Sequence, residues 1–466
     1  MSFANFPLLW LFGARNNILI WATNWSFATF NIFHRHVARV ATLQAVAHTV
    51  LYIVIYARTG KWWKFLNKAY ILWGIVGTVV MVLLLVSSLD RIRIVSYEFF
   101  LITHIAFSGN EYWQYLWPSV AVWIFDRLLR LVRLVYCNLH VEMFARTRMV
   151  SSTSWMTYDE VADVIRLEIS LRRQRFRLKP GDYFFLYQPF RWTGWESHPF
   201  TVGAWTQDGN PAPNPSISRA SEYSADTSHL PLLADTAPEN NNLDASDGES
   251  KGGSEYSGSI MTFWIRPYDG WTQKLRQQCL KAKSQPINST ILIEGPYGHQ
   301  VPVWEYDSML MIVGGTGIAS AVPYLHDHIR RSAGDRNAPQ RRTRIQDIEL
   351  VWTTKQAAFV GDIAHQELKP LLARSDFKAS FYSTMRHAHS SRANELDDLG
   401  YSIISGRPYL QPLIMSRACD ASSAGISLLI FVCGPVSMAN EARRATQLAM
   451  QHGHRGIKYA EDSFNW

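Results

Sequence analysis

Long apolar runs dominate the first 136 residues, and short runs separated by turn residues dominate the rest of the chain. Residues 37–57 and 70–89 each approach the roughly 20 apolar residues that cross a bilayer core. Residues 7–27 form a weaker candidate, because Arg15 and two asparagines interrupt the run. The pattern therefore predicts membrane helices at the amino-terminal end.

A fourth apolar stretch, residues 97–136, ends in arginines at 127, 130 and 133. Basic residues accumulate on the cytoplasmic side of membrane helices, so we expect this end, and the DRIR segment at 90–93, to be cytoplasmic. The basic loop at 58–68 does not fit a simple assignment of sides.

From about residue 145 the runs become short and β-like. Five of them occupy residues 163–170, 182–187, 199–205, 259–267 and 289–296. Several short strands of this kind predict a small antiparallel barrel. Residues 206–258 interrupt the series and are rich in Ser, Asn, Asp and Pro, with few core-forming residues. We expect this segment to be a disordered insertion.

From residue 306 strand and helix signals alternate. Apolar strands are predicted at 308–315, 348–355, 377–385 and 426–434, with helical patterns after the first and the last. Such alternation predicts a parallel sheet covered by helices.

The net charge and the cysteines give little information about the function of the chain. A formal net charge of +8 suits an anionic membrane face or a polyphosphate ligand equally well, and we expect no nucleic-acid partner. The four cysteines are far apart, which gives neither a metal-binding spacing nor a disulfide framework. Met1 leads almost directly into apolar sequence without a cleavable secretory signal, so we expect a missing upstream part.

The segment IVGGTGIASAVPYL, residues 312–325, is the strongest local signal of chemistry. A strand ends in glycines and a helix begins, so backbone amides and the positive end of the helix dipole could face a phosphate. A tight turn between strand and helix, with no ligand, explains the same pattern and stays open.

Two histidines in an apolar helical segment are a second indication of chemistry. His34 and His48 are fourteen residues apart, which on a helix is a rise of about 21 Å and close to four whole turns. They therefore share one helix face at two membrane depths. Ionisable groups inside a membrane are costly, and this cost points to a function.

Five motifs occur in the order found in ferredoxin-reductase-like flavoproteins: HPFT, EGPYG, GGTGI, CGP and the terminal EDSFNW. With the paired histidines upstream, the chain resembles the ferric reductase transmembrane family, which includes the NADPH oxidases. FHRHVARV and DGWTQKL are most similar to fungal ferric and cupric reductases. The resemblance implies a multi-domain fold: a transmembrane α-helical haem bundle (1–140), an antiparallel β-barrel FAD domain (141–305) and an α/β Rossmann-like NADPH-binding domain (306–466).

The resemblance also implies site residues. For FAD they are His198, Pro199, Phe200, Thr201, Arg266, Gly270 and Thr272. For the nicotinamide nucleotide they are Gly314, Gly315, Thr316, Gly317, Ile318, Cys433, Gly434 and Pro435. For the 2′-phosphate, Arg386 is the candidate cation. For haem iron they are His34, His48 and His104, with His36 interfacial. For catalysis they are Cys433 and Trp466, and the latter would cover the flavin ring until nicotinamide displaces it.

The implied activity is electron transfer from cytosolic NADPH through FAD and haem b to Fe(III) or Cu(II) chelates across the plasma membrane. Hydride transfer needs stacking and orientation, so no catalytic pair of carboxylates is expected. A superoxide-generating NADPH oxidase shares nearly all of these motifs and remains an alternative. A truncated paralogue that binds nucleotide without passing electrons is a second alternative.

We predict that this chain cannot hold two complete bis-histidine haems. A partner for His48 is expected fourteen residues after His104, where Pro118 stands. In addition, two membrane crossings together need about 40 residues plus a turn, and the segment 94–126 has fewer. A deletion of roughly ten to twenty residues near 108–112 would explain both. Haem analysis of the purified chain is the measurement. At most one bis-histidine haem, held by His34 and His104, is expected, and two per chain would refute the prediction.

Overall fold

A computed structural model provides the structure of the chain. It describes residues 2–23, 25, 27–88, 113–142, 148–151, 153–171, 176–188, 197–206, 259–282, 284–333, 342–385 and 400–462. These residues belong to two compact units, Met1–Tyr136 and Cys137–Trp466.

The first unit is helical. Its helices are α1 (Phe6–Gly13), α2 (Ile18–Thr23), α3 (Phe27–Arg58), α4 (Trp62–Leu66), α5 (Ala69–Ser87) and α6, which spans Trp113–Asn138 and so ends in the second unit. Within the described residues, one stretch, Thr29–Arg58, is long and apolar enough to cross a membrane, and Tyr70–Val86 is a shorter apolar helix.

The polar interruption in the first apolar run separates two short helices. The side-chain oxygen of Asn17 accepts a hydrogen bond from the Leu19 backbone amide at 2.8 Å, which satisfies one of the unpaired amides at the start of α2. The helix α3 begins ten residues before the predicted span and therefore carries both His34 and His48. Large apolar side chains face outward along α3 and α5, among them Leu43, Leu51 and Leu83.

The second unit begins with antiparallel strands, as predicted. The strands are β1 (Leu139–Glu142), β2 (Arg148–Ser151), β3 (Thr153–Asp159), β4 (Val164–Leu171), β5 (Tyr183–Tyr187), β6 (Ser197–Thr201), β7 (Ala204–Trp205), β8 (Ser259–Ile265), β9 (Ile287–Ser289) and β10 (Leu292–Tyr297). One sheet has the order β7-β8-β4-β3-β9, and a second has the order β10-β5-β6. β1 pairs with β2 alone.

Alternating apolar side chains build the core of this barrel. In β4, Ile165, Leu167 and Ile169 are fully buried, as the period of two along a strand requires. The helix α7 (Gly270–Lys281) adds Trp271 and Leu275 to the same core. The start of α7 is thereby anchored against the barrel.

A side chain completes the open edge of β10. The Asn138 amide nitrogen donates to the Ile293 carbonyl at 2.7 Å, and the Ile293 backbone amide donates to the Asn138 side-chain oxygen at 3.0 Å. The neighbouring Cys137 thiol donates to the Gly295 carbonyl at 3.1 Å. The side chains of these two residues, the last of α6, therefore satisfy backbone groups on the open edge of β10.

The carboxyl-terminal part is the predicted parallel α/β module. Its strands are β11 (Ser308–Gly314), β12 (Asp347–Thr354), β13 (Phe377–Ser383), β14 (Ile403–Ser405), β15 (Leu428–Cys433) and β16 (Ile457–Glu461). Its helices are α8 (Ile318–Ser332), α9 (Ala357–Ile363), α10 (Lys369–Leu372), α11 (Leu410–Ala424) and α12 (Val436–Gln451). All neighbouring strands are parallel.

The strand order β14-β13-β12-β11-β15-β16 contains a change of direction. The chain builds outward from β11 to β14, then returns to the other side of β11 with β15. Ligands of such sheets bind beyond the carboxyl ends of the strands at this point. Here those ends carry Gly314 and Cys433.

We predict that the insertion, expected at residues 206–258, is dispensable for folding; Thr206 is described and pairs with Ile260, so the insertion begins after it. It lies outside the described residues, but the residues at its two ends are adjacent: the Thr206 amide donates to the Ile260 carbonyl at 3.0 Å, and the Ile260 amide donates to the Thr206 hydroxyl at 3.0 Å. A variant that joins residue 206 to residue 259 through a short Gly/Ser linker should retain its flavin, because few apolar groups are removed. Flavin absorbance per chain is the measurement, and loss of flavin would show that the segment is structural.

Candidate functional site

The HPFT motif forms β6 beside an aromatic side chain from α7. The His198 ring stacks on Trp271 with centroids 5.3 Å apart and planes 14° apart, and Phe200 lies 6.0 Å from the same ring. Pro199 and Thr201 alternate with these residues and point to the other face of the strand. The structure thus brings His198 and Phe200 together with α7, and Pro199 and Thr201 face away from it.

The amino terminus of α7 offers amides to an anion. Gly270 has φ +56°, a left-handed conformation that favours glycine, and the twelve-residue helix starts there. The Thr272 hydroxyl accepts from the Tyr268 amide at 3.1 Å and donates to the Asp269 carbonyl at 3.0 Å, which fixes the turn before the helix. A pyrophosphate fits this position beside His198.

The GGTGI turn connects β11 to α8 in close contact with a second loop. A Cβ on Gly317 would lie 2.6 Å from the Cys433 carbonyl oxygen, and one on Gly314 would lie 2.6 Å from Cδ of Pro435. Gly315 has φ +56°. Neither Gly314 nor Gly317 has room for a side chain. The backbone of this turn is therefore available to a phosphate at the start of α8.

Polar groups surround Cys433 at the end of β15. The Ser320 hydroxyl donates to the Asp462 carboxylate, and the Asp462 amide donates to the Val432 carbonyl at 2.9 Å. Burial raises the pKa of the Cys433 thiol well above its usual value, and the nearby Asp462 raises it further. Burial likewise raises the pKa of Asp462, and the Ser320 hydrogen bond opposes this shift. This shift favours the neutral thiol, and the catalytic role of Cys433 stays a prediction.

Arg266 follows β8 in the barrel but contacts the α/β module. Its residue is 7% exposed, and its guanidinium donates to the Gln356 side-chain oxygen after β12. Nη1 lies 3.7 Å from the place where a Cβ on Gly315 would be. The cation expected at the FAD pyrophosphate thus lies against the glycine turn of the other module.

The histidines proposed for haem are only partly described. Nδ1 of His34 donates to the Leu9 carbonyl at 2.9 Å, a contact that orients metal-binding imidazoles through the other nitrogen. His48 is exposed on α3 and its ring lies 4.5 Å from that of Tyr52. His104, Arg386 and Trp466 lie outside the described residues, so their roles stay predictions.

The sequence analysis did not identify Ser320, Asp462 or Gln356, whose partners are distant along the chain. Ser320 and Asp462 are 142 residues apart, and Gln356 is 90 residues from Arg266, which the sequence analysis did name. Ser320 stands in the first turn after the glycines and Asp462 just before the terminal aromatic residues. Position relative to a motif was the one signal that could have found them.

Three family models match the chain in succession. Residues 1–109 match "Ferric reductase like transmembrane component", 148–210 match "FAD-binding domain" and 306–447 match "Ferric reductase NAD binding domain". The chain thus matches two ferric reductase domain models, one on each side of a match to an FAD-binding domain. The FAD-binding range includes HPFT, and the NAD-binding range includes GGTGI and CGP.

Curated ferric reductases match along the whole chain. It is 24% identical to "Ferric reductase transmembrane component 6" of Saccharomyces cerevisiae, covering 100% of this chain and 59% of the relative. It is 23% identical to "Probable ferric reductase transmembrane component" of Candida albicans, covering 99% and 63%. The chain thus spans about 60% of the length of these relatives.

Solved flavoproteins give a looser match. A Neisseria gonorrhoeae ferredoxin NADP+ reductase with bound FAD and NADP matches at 14% identity and TM-score 0.38, covering 66% of this chain and 97% of that one.

We predict that Gly317→Ala will weaken NADPH binding and leave flavin in place. The new Cβ must displace the Cys433 backbone, an overpacking that typically costs the fold about 1–3 kcal/mol. The displaced turn should bind NADP⁺ about fivefold or more weakly, which is about 1 kcal/mol of binding free energy. Titration of the flavin-loaded chain with NADP⁺, followed by difference absorbance, measures this. As a control, Gly425→Ala strains a residue at φ +67° with nothing within 4 Å, so it should cost stability and not affinity. Equal affinities for the two variants would contradict the prediction.

Proposed function

We propose that this protein transfers electrons from cytosolic NADPH, through FAD and haem b, to Fe(III) or Cu(II) chelates on the far side of the plasma membrane. The domain limits at 140 and 305 are part of this proposal. The observation that carries it is a contact between the two candidate nucleotide sites. Arg266, which follows strand β8 of the barrel, donates to the Gln356 side chain and lies against Gly315 of the glycine turn.

The residues of each site suit their ligands. The start of α7, with His198 and Phe200 beside it and the buried Trp271 behind them, would hold the FAD pyrophosphate. Pro199 and Thr201, on the other face of β6, would contact another part of FAD. The glycine turn and the start of α8 would hold the NADPH pyrophosphate. Bound FAD supplies the conversion of one hydride into two single electrons.

Arg266 is better suited to the nicotinamide nucleotide than to FAD. Its guanidinium is buried against Gly315, where a second anion would be desolvated and strongly attracted. The Gln356 contact fixes its direction. We therefore reassign Arg266 from the FAD pyrophosphate to the phosphates of NADPH.

The haem step depends on the first unit. The contact of His34 with the Leu9 carbonyl supports Nε2 as an iron ligand, since such contacts raise ligand basicity. His48 on the same helix would be one ligand of a second haem, and its partner is the ligand that we predict this chain to lack. The imidazoles would hold haem, and bound haem would supply the one-electron transfer along the membrane normal.

The test uses the full chain in sealed vesicles with an Fe(III)–citrate chelate and the Fe(II) indicator ferrozine trapped inside. NADPH added outside should give the coloured Fe(II) complex, and Pro199→Ala with Thr201→Ala should abolish it by removing flavin. The Cys419→Ser variant, changed at an exposed thiol, is the control.

Three outcomes separate the candidates. Colour that superoxide dismutase does not suppress supports a metalloreductase. Colour that superoxide dismutase suppresses identifies a superoxide-generating oxidase. Reduced flavin without trapped Fe(II) would mean that the membrane path is incomplete.

A further inference from the structure

Tyr324 connects the two modules of the second unit through its hydroxyl group. It lies in the second turn of α8 and is 1% exposed. Its hydroxyl oxygen accepts a hydrogen bond from the Val301 amide at 3.0 Å. Val301 belongs to the segment after EGPYG and precedes residue 306, where the match to the NAD-binding family begins. The bond therefore joins a helix of the nucleotide module to the exit of the barrel.

The same hydroxyl lies against a turn of the barrel. A Cβ on Gly181 would be 2.9 Å from the Tyr324 hydroxyl oxygen and 2.8 Å from the His299 carbonyl oxygen, and Gly181 has φ +89°. The backbone carbonyl of the next residue, Asp182, accepts a hydrogen bond from the Val202 amide at 3.1 Å. Val202 directly follows HPFT, so this turn is tied to the end of the flavin motif.

The ring of Tyr324 contacts the strand that carries the nicotinamide loop. Its centroid is 5.2 Å from that of Phe431 with planes at 61°, and Phe431 precedes Cys433 by two residues in β15. The helix of Tyr324 starts at Ile318 in the glycine turn. One side chain thus touches elements that bear both ligand sites.

The geometry points to Tyr324 as a positioning residue for hydride transfer, whose hydroxyl holds the nucleotide module in register with the flavin barrel. This inference rests on the proposed function, because the register matters through the distance between nicotinamide and flavin. Reacting atoms must come within about 3–3.5 Å, and displacements near 1 Å can cost about a hundredfold in rate. A phenylalanine would fill the same volume against Phe431, so the hydroxyl adds only the directed bond to Val301.

The experiment compares Tyr324→Phe with Tyr401→Phe in the full chain. Tyr401 is a matched control: its ring packs edge-on against Phe381 at 5.8 Å, and its hydroxyl donates to the Leu372 carbonyl at 3.3 Å, all within the nucleotide module. Anaerobic mixing with NADPH measures the rate of flavin bleaching, and NADP⁺ titration measures affinity.

For Tyr324→Phe we expect unchanged flavin content, NADP⁺ affinity within about twofold, and flavin reduction slowed by about fivefold or more. The deuterium isotope effect with 4-deuterated NADPH should also change, because the donor–acceptor distance changes. Tyr401→Phe should match the wild type. A rate loss below twofold for Tyr324→Phe, or an equal loss in both variants, would overturn the proposal.

Two further measurements separate this proposal from the proposed function. Amide hydrogen exchange needs no electron transfer: Tyr324→Phe should speed exchange at Val301 and in residues 179–182, and unchanged exchange there would overturn the proposal even if wild-type flavin were not reduced by NADPH. Gly181→Ala should slow flavin reduction as well. Added to Tyr324→Phe it should slow the reaction less than the product of the single effects, because the clash with the hydroxyl is gone and only the one with the His299 carbonyl oxygen remains.

Discussion

The packing of the GGTGI turn against the CGP loop is the constraint on which the second unit depends. Gly317 meets the Cys433 backbone and Gly314 meets Pro435, so two loops from neighbouring parallel strands share one layer of backbone. That close approach exposes amides at the start of α8 and brings Cys433, Ser320 and Asp462 together. A bulkier residue at either glycine would separate the loops and fill the space that a phosphate needs.

The two units place their apolar side chains differently with respect to solvent. In the first unit, apolar side chains such as Leu43 and Leu83 are exposed along helices, which is costly in water and favourable in lipid. In the second unit the apolar side chains of β4 and β11 are buried between layers. The same residue types thus face outward in one unit and inward in the other.

Sequence patterns predicted the classes of element well and their long-range contacts poorly. The buried run at 308–315 became β11 because a continuous apolar strand can be stable only in a covered sheet. The run at 199–205 instead divides into β6 and β7, and the strands β1, β2, β3, β14 and β16 were not predicted.

The candidate sites show the same difference between local features and long-range contacts. The turns with glycines were recognisable because each carries its own conformational signal, as at Gly270 and Gly315. The contact of Arg266 with Gln356 was not recognisable, since it arises where two modules pack and no local pattern encodes that packing. His104 and Trp466 lie outside the described residues, so their assignments stay predictions.

Asn138 has a consequence for the behaviour of the chain in a crowded cell. β10 is the outermost strand of its sheet, and an uncovered edge offers amides and carbonyls to any passing strand. By engaging both backbone groups of Ile293, Asn138 satisfies one donor and one acceptor on that edge, and the Cys137 thiol engages a carbonyl further along. The residues that lead into the barrel therefore also shield it from self-association before its ligands arrive.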